Sequence, residues 1–246
     1  MKKSVKIILI VVGILAIVGV VGFNYLKNNG LSGQYANTEA KEGQIKVACV
    51  GDSITYGHGI SDWAENNYPA QLQKILGDDY HVANFGSSGA CVNPDGDQPY
   101  NGREVYQNGL DYEADVLVFM LGTNDSKPEN WTNIDDFMKN YKELLDSYLN
   151  GTNRPSKIYV GLCAEAYYME EHNPDTGIAG YDIQPAIVDE IATEIEGYFA
   201  QYEAKVKIID VHTLTEAHPE WFVKDGIHPN NDGARAIAEL VAEAIQ

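Results

Sequence analysis

The sequence predicts an α/β protein, a three-layer α/β/α sandwich on a five-stranded parallel sheet. Three observations predict it. Short apolar runs alternate with segments of helical period along residues 45–246. One run, Val116 to Met120, is apolar at every position, as a strand covered on both faces requires. Polar, glycine-containing blocks follow the first three runs directly, where loops at the carboxyl edge of a parallel sheet belong.

Lys46 to Val50 is a short apolar run that ends at Gly51 and reads as a buried strand feeding a turn. Tyr68 to Leu76 has helical spacing at Tyr68, Leu72, Ile75 and Leu76, with Pro69 in the first turn, where its missing N–H is harmless. Tyr80 to Asn84 is the second strand, and Asp115 to Leu121 the third. No clear helix shows between them. Ile134 to Leu149 is helical, with Phe137, Tyr141, Leu144, Leu145 and Tyr148 on one face. Lys157 to Leu162 is a fourth strand, Ala186 to Tyr202 a helix, Val206 to Val211 a fifth strand, and Asp232 to Ile245 a closing amphipathic helix. No internal repeat or second globular domain is visible.

Ahead of this domain, Lys2, Lys3 and Lys6 flank 17 residues, Ile7 to Phe23, without a polar side chain. The length sits at the lower edge for a membrane span and above the usual signal-peptide core. No lipobox cysteine follows, and the small-residue cleavage pattern after Gly22 is poor. Residues 1–23 therefore read as an uncleaved signal anchor, with a cleaved signal peptide as the alternative. Either puts the domain outside the cytoplasm. Residues 24–44 are polar and aperiodic, and read as a flexible tether. The membrane is thus an expected partner through residues 7–23.

Four blocks carry chemistry, in this order: Gly51-Asp52-Ser53-Ile54-Thr55, Asn84-Phe85-Gly86-Ser87-Ser88-Gly89, Gly122-Thr123-Asn124-Asp125 and Asp225-Gly226-Ile227-His228-Pro229. The last places an acid and a base three residues apart. About 170 residues upstream, a serine follows an apolar run at a glycine-flanked turn. Serine hydrolysis needs a nucleophile, an imidazole to take its proton and a carboxylate to orient the imidazole.

Together the four blocks resemble the SGNH (GDSL-type) hydrolases over roughly residues 46 to 244. The resemblance implies a flavodoxin-like strand order, 2-1-3-4-5. It makes Ser53 the nucleophile, His228 the general base and Asp225 its orienting carboxylate, although some members use a backbone carbonyl in place of the aspartate. It supplies three oxyanion donors: the Ser53 N–H, the Gly89 N–H and the Asn124 amide. Gly89, rather than Gly86, matches the family's block-two glycine. Asp52, Asn84 and Asp125 are expected to hold the site loops.

Each residue also has a plainer reading. Ser53 would suit a helix N-cap, Asp225-Gly226 is a common turn pair, and either glycine of the second block could serve a turn needing positive φ. His58, His81, His172, His212 and His218 are bystander candidates. Of these, only His81 has an aspartate three residues earlier, Asp78, and it falls inside a strand.

Composition bounds the partners. Net charge is −19; without the three N-terminal lysines, 14 basic residues face 36 acidic ones, giving −22. That disfavours nucleic acid, anionic membrane surfaces and polyanionic polymers. Three cysteines, Cys49, Cys91 and Cys163, make no disulfide framework or zinc site, although Cys91 and Cys163 both follow strands on the active edge and leave a disulfide open. No metal is implied, since neither HxxxH nor HxH spacing occurs, and no cofactor, since no glycine-rich phosphate loop is present.

Loops at His58 to Trp63, Pro94 to Gln107 and Tyr167 to Tyr181 carry Trp63, Tyr100, Tyr106, Tyr167, Tyr168 and Tyr181. Such rings stack on sugars and also line acyl pockets. No long apolar lid stands out. The expected substrate is a small acyl ester, acetyl above all, on a carbohydrate. A lysophospholipase, thioesterase or general short-chain esterase is the alternative within the same chemistry, and an idle glycan-binding surface module the alternative outside it.

Overall fold

The computed structural model describes residues 39–150, 154–168, 179–202 and 206–246. Five parallel strands, β1 (Ile45–Gly51), β2 (Tyr80–Gly86), β3 (Val116–Met120), β4 (Lys157–Gly161) and β5 (Val206–Ile209), form one sheet in the order β2-β1-β3-β4-β5. The helices are α1 (Ser53–Tyr56), α2 (Trp63–Asn66), α3 (Tyr68–Leu76), α4 (Glu104–Asp111), α5 (Ile134–Leu149), α6 (Pro185–Phe199), α7 (Val211–Glu216) and α8 (Asn231–Ile245). The expected layers and strand order hold.

Period-two alternation splits the sheet between two cores. Ala48 and Val50 of β1 face one side with Phe85, Val105, Tyr141 and Ile191; Val47 and Cys49 face the other with Tyr68, Leu72, Ile237 and Val241. Every residue of β3 is buried. Burying one such Val, Leu or Phe side chain is worth about 1.5–3 kcal/mol, so covering both faces is what makes an all-apolar strand favourable.

Local chemistry sets the helix ends. Asn67 accepts from the Ala70 N–H at 3.0 Å to start α3, and Gly77, at φ 76°, ends it. Asn133 accepts from Asp136 at 2.9 Å to start α5. Asn230 accepts from Asp232 and Gly233 to start α8.

The sequence missed α4. Its fully buried residues are Val105 and Gly109 alone, with Tyr106 and Leu110 partly buried beside them, so only a short apolar stripe marks it. A Cβ at Gly109 would come within 2.9 Å of the Tyr148 hydroxyl, so the glycine lets α4 lie close to α5. Cys91 and Cys163 are both buried and free, so no disulfide joins them.

The anchor of residues 7–23 and most of the tether lie outside the described residues. Among those described, no helix is long and apolar enough to cross a membrane. The last tether residue, Gln44, docks on the sheet: its amide donates to the Asp78 and Tyr80 carbonyls at 2.8 and 3.1 Å.

Candidate active site

The sheet register brings the motif blocks to one edge. Gly51, the last residue of β1, pairs with Gly86 of β2 on one side and Met120 of β3 on the other. The chain therefore leaves three adjacent strands at one level, and the turns carrying Ser53, Gly89 and Asn124 start side by side.

Ser53 opens α1. Asp52 precedes it as the cap, accepting from the Ile54 N–H at 2.9 Å. The helix lasts one turn, because Gly57 (φ 93°) closes it by donating to the Ser53 carbonyl at 2.9 Å. Asn84 clamps this turn: its amide donates to the Thr55 carbonyl at 2.8 Å and its oxygen accepts from the Gly86 N–H at 2.8 Å. A Cβ at Gly86 would meet the Tyr56 nitrogen at 2.1 Å. Gly86 thus serves close packing, not the pocket.

His228 arrives from the loop between β5 and α8. Its Nε2 lies 2.9 Å from Ser53 Oγ, and its Nδ1 lies 2.7 Å from Asp225 Oδ2. Gly226, at φ 74°, makes the tight turn between acid and base. Ser53 and His228, 175 positions apart in the sequence, thus meet with Asp225 in one hydrogen-bonded line. Burial would raise the Asp225 carboxyl. The His228 ring and the N–H groups of His228 and Ile227 outweigh it and hold it at about 2. A hydroxyl bonded to an imidazole whose far nitrogen is held by a carboxylate is the arrangement in which serine becomes a nucleophile.

Ser53, His228, Gly89 and Asn124 all line one cavity of about 150 Å³. Gly89 has φ 77°, and a Cβ there would meet the Gln98 side-chain amide at 2.7 Å. The Asn124 side-chain amide is oriented by donating to the Ala90 carbonyl at 3.1 Å, and the Asn124 backbone carbonyl accepts from the Asn130 amide at 2.8 Å. Asp125 accepts from the Val92 and Asn93 N–H groups at 2.9 Å each, which holds the segment after Gly89.

Two carboxyls under the site are displaced upward. Burial pushes Asp52 up to about 6 against the opposing pull of the Ile54 N–H, the His228 charge and the Thr123 hydroxyl. Burial pushes Asp125 up to about 7 against the Val92 and Asn93 N–H groups, and the Asp52 charge adds to the rise.

One histidine read as a bystander belongs to the site. The His58 ring centre is 4.3 Å from that of His228, and His58 lines the cavity. Burial lowers its affinity for a proton, the His228 charge lowers it further, and Asp225 partly opposes. Its place in the turn five residues after Ser53 was the signal. Lys127, which lines the cavity and pairs with Asp97 at 3.0 Å, gave no signal, nor did Gln98. His81 stays in β2, bonded to the Tyr112 hydroxyl, His218 stacks on Trp221, and His172 lies outside the described residues.

Of the loop aromatics, only Tyr181 lines the cavity. Its ring stands edge-on to His228 at 5.5 Å, and Tyr181 is 59% exposed. Trp63, Tyr100 and Tyr167 have turned to other partners. The Trp63 N–H donates to the Tyr56 carbonyl at 2.8 Å, the Tyr100 hydroxyl to the Phe85 carbonyl at 2.7 Å and the Tyr167 hydroxyl to the Thr215 carbonyl. The expectation that they line the pocket is corrected: each hydroxyl or indole N–H found a carbonyl to bond beneath the loops.

The chain is similar to known proteins in sequence and in fold. The model of the GDSL-like lipase/acylhydrolase family matches residues 49–236. An acetylxylan esterase from Xylanibacter ruminicola is 38% identical over 213 residues, 84% of this chain and 44% of that protein, so the chain spans less than half the length of this relative. An arylesterase from Vibrio mimicus is 24% identical over 84% of this chain and 90% of that protein. A carbohydrate acetylesterase structure from Sinorhizobium meliloti superposes with a TM-score of 0.60 at 18% identity, over 82% of this chain and 98% of that one. With more than half its length matched by the family model and the same fold in the solved structures, the chain belongs to the GDSL-like lipase/acylhydrolase family of ester hydrolases.

Proposed function

We propose that this ester hydrolase removes small acyl groups, acetyl first, from carbohydrate by a Ser53–His228–Asp225 mechanism. The observation that carries the reading is the line Asp225 Oδ2–His228 Nδ1 and His228 Nε2–Ser53 Oγ, at 2.7 and 2.9 Å. Ser53 Oγ attacks the ester carbonyl while His228 Nε2 takes its proton. The imidazolium, steadied by Asp225, then protonates the departing alcohol, and water repeats the sequence on the acyl-serine. The Ser53 and Gly89 N–H groups and the Asn124 amide stabilise the oxyanion in both steps. Asp52, Asn84 and Asp125 hold the loops.

The cavity's small size supports a short acyl group. The name of the 38% identical relative, acetylxylan esterase, supports acetyl on a glycan. The arylesterase likeness keeps simple short-chain esters as the second reading. On the sequence, residues 1–23 serve as a signal anchor and 24–44 as a tether, holding the catalytic domain (45–246) outside the cytoplasmic membrane.

The test is acid release by the full-length chain from acetylated xylan, pectin and peptidoglycan, beside p-nitrophenyl acetate and lysophospholipid. Acetate from one of the glycans at a rate above the other substrates is expected. Fatty acid from lysophospholipid as the main product overturns the carbohydrate reading. Glycan binding with no acid from any substrate leaves a non-catalytic module.

A further inference from the structure

Away from the serine, three ligating side chains converge from three segments. Glu165 follows β4, Asp189 lies in the first half of α6, and His212 is the second residue of α7. His212 Nε2 is 3.5 Å from Glu165 Oε2 and 3.6 Å from Asp189 Oδ1, and the three atoms all lie within 4.8 Å of one another.

The orientation of the imidazole makes this more than a cluster of acids. His212 Nδ1 is 3.1 Å from the Cys163 carbonyl. A carbonyl only accepts, so Nδ1 carries a proton, and Nε2 is the ring nitrogen left to face the two carboxylates. The three ligand atoms stand at separations longer than a normal hydrogen bond, an arrangement that a cation bound between them completes. Glu165 is placed in advance. Its N–H donates to Thr215 Oγ1 at 2.9 Å, on the helix that carries His212, and its Oε1 accepts from the Ala166 N–H at 3.0 Å, which leaves Oε2 for the cluster.

We propose that Glu165, Asp189 and His212 bind a zinc ion. A tetrahedral zinc with bonds near 2.0–2.2 Å separates its ligand atoms by about 3.4 Å, close to the two short distances here. Calcium takes about six to eight oxygens and magnesium prefers oxygen with several waters, so the imidazole and low ligand count favour zinc. A backbone carbonyl on the second imidazole nitrogen is the usual support of a metal-bound histidine. The Asp189 side chain is 55% exposed, which gives the ion an entry path and leaves the fourth position to water.

The ion braces rather than reacts. It ties the segment after β4 to α6 and α7. Two residues past Glu165, the Tyr167 N–H donates to the Gly226 carbonyl at 2.8 Å, inside the loop that carries Asp225 and His228. Zinc at Glu165 therefore steadies the acid–base loop from outside. The proposal does not depend on the ester-hydrolase mechanism, and a negative result leaves that mechanism untouched.

The test is zinc titration of the full-length chain, stripped with EDTA and dialysed, against a competing chromophoric chelator, with thermal unfolding in parallel. One equivalent of zinc is expected in the wild type, lost in His212→Ala and at least about tenfold weaker in Asp189→Asn. A hundredfold excess of zinc over its dissociation constant should raise the wild-type midpoint by about 5–10 °C. An absence of saturable binding overturns the proposal and leaves His212 as a polar contact of the two carboxylates. One equivalent retained by His212→Ala also overturns it. So does a site lost in His58→Ala instead, which puts the ion beside His228. If His212→Ala does not fold, Asp189→Asn decides, because undiminished affinity there excludes the site.

Discussion

Asp225 holds His228 twice. Its Oδ2 lies 2.7 Å from the ring Nδ1, and its Oδ1 accepts the His228 backbone N–H at 3.0 Å and the Ile227 N–H at 2.9 Å. One carboxylate therefore holds both the turn and the imidazole ring.

Replacing that carboxylate separates the two jobs. Asp225→Asn keeps an oxygen for the N–H groups but offers the ring a donor where an acceptor is needed. We expect kcat to fall by up to about 10⁴ with the fold retained, as when the wrong tautomer is forced on such a histidine. Steady-state kinetics beside circular dichroism check this. A loss under tenfold would mean that a carbonyl or water orients His228 instead.

Asn124→Ala should lower kcat by about 10²–10³ and leave KM nearly unchanged, as removal of one oxyanion donor does. The Asn124 amide is aimed by its bond to the Ala90 carbonyl and lines the cavity with Ser53. A raised KM with kcat preserved would make Asn124 a substrate-binding group.

Stability should depend on pH with two opposite signs. Asp52 and Asp125 have folded values raised to about 6 and about 7, against an unfolded value of about 3.9. Between those limits the folded state binds more protons, so stability falls as pH rises from about 4 to 7. Asp225, held at about 2, acts the other way: its contribution is present above about 4 and is lost as pH falls toward 2. The melting midpoint should therefore be higher at pH 5.5 than at pH 7.5 and drop below pH 4. In Asp125→Asn the difference between pH 5.5 and 7.5 should shrink. An unchanged difference in that variant would assign the slope to the surface excess of acids.

The sequence disclosed most where burial was symmetrical. β3, apolar at every position, and the i, i+4 stripe of α5 could be read directly, because a covered strand and a one-sided helix leave different periods. α4 could not, since one of its two fully buried residues is a glycine. In the site, Ser53, Asp225 and His228 announced themselves through short motifs with glycine turns. His58 was marked only by its place five residues after Ser53, because its contact with His228 comes from the tertiary approach of the 225–229 loop to the turn after α1. Tyr100 and Trp63 were misjudged for the same reason: ring type says what a side chain can touch, and only the loop path says what it touches.

The central claim is that Ser53 is the nucleophile, and covalent trapping tests it most directly. The full-length chain would be treated with a fluorophosphonate, assayed for hydrolysis of p-nitrophenyl acetate, then digested and mapped by mass spectrometry. One adduct per chain on Ser53, formed in step with loss of activity and absent from an inactive Ser53→Ala variant, is the expected result. Labelling elsewhere in step with inactivation, or near wild-type hydrolysis by Ser53→Ala, would contradict it.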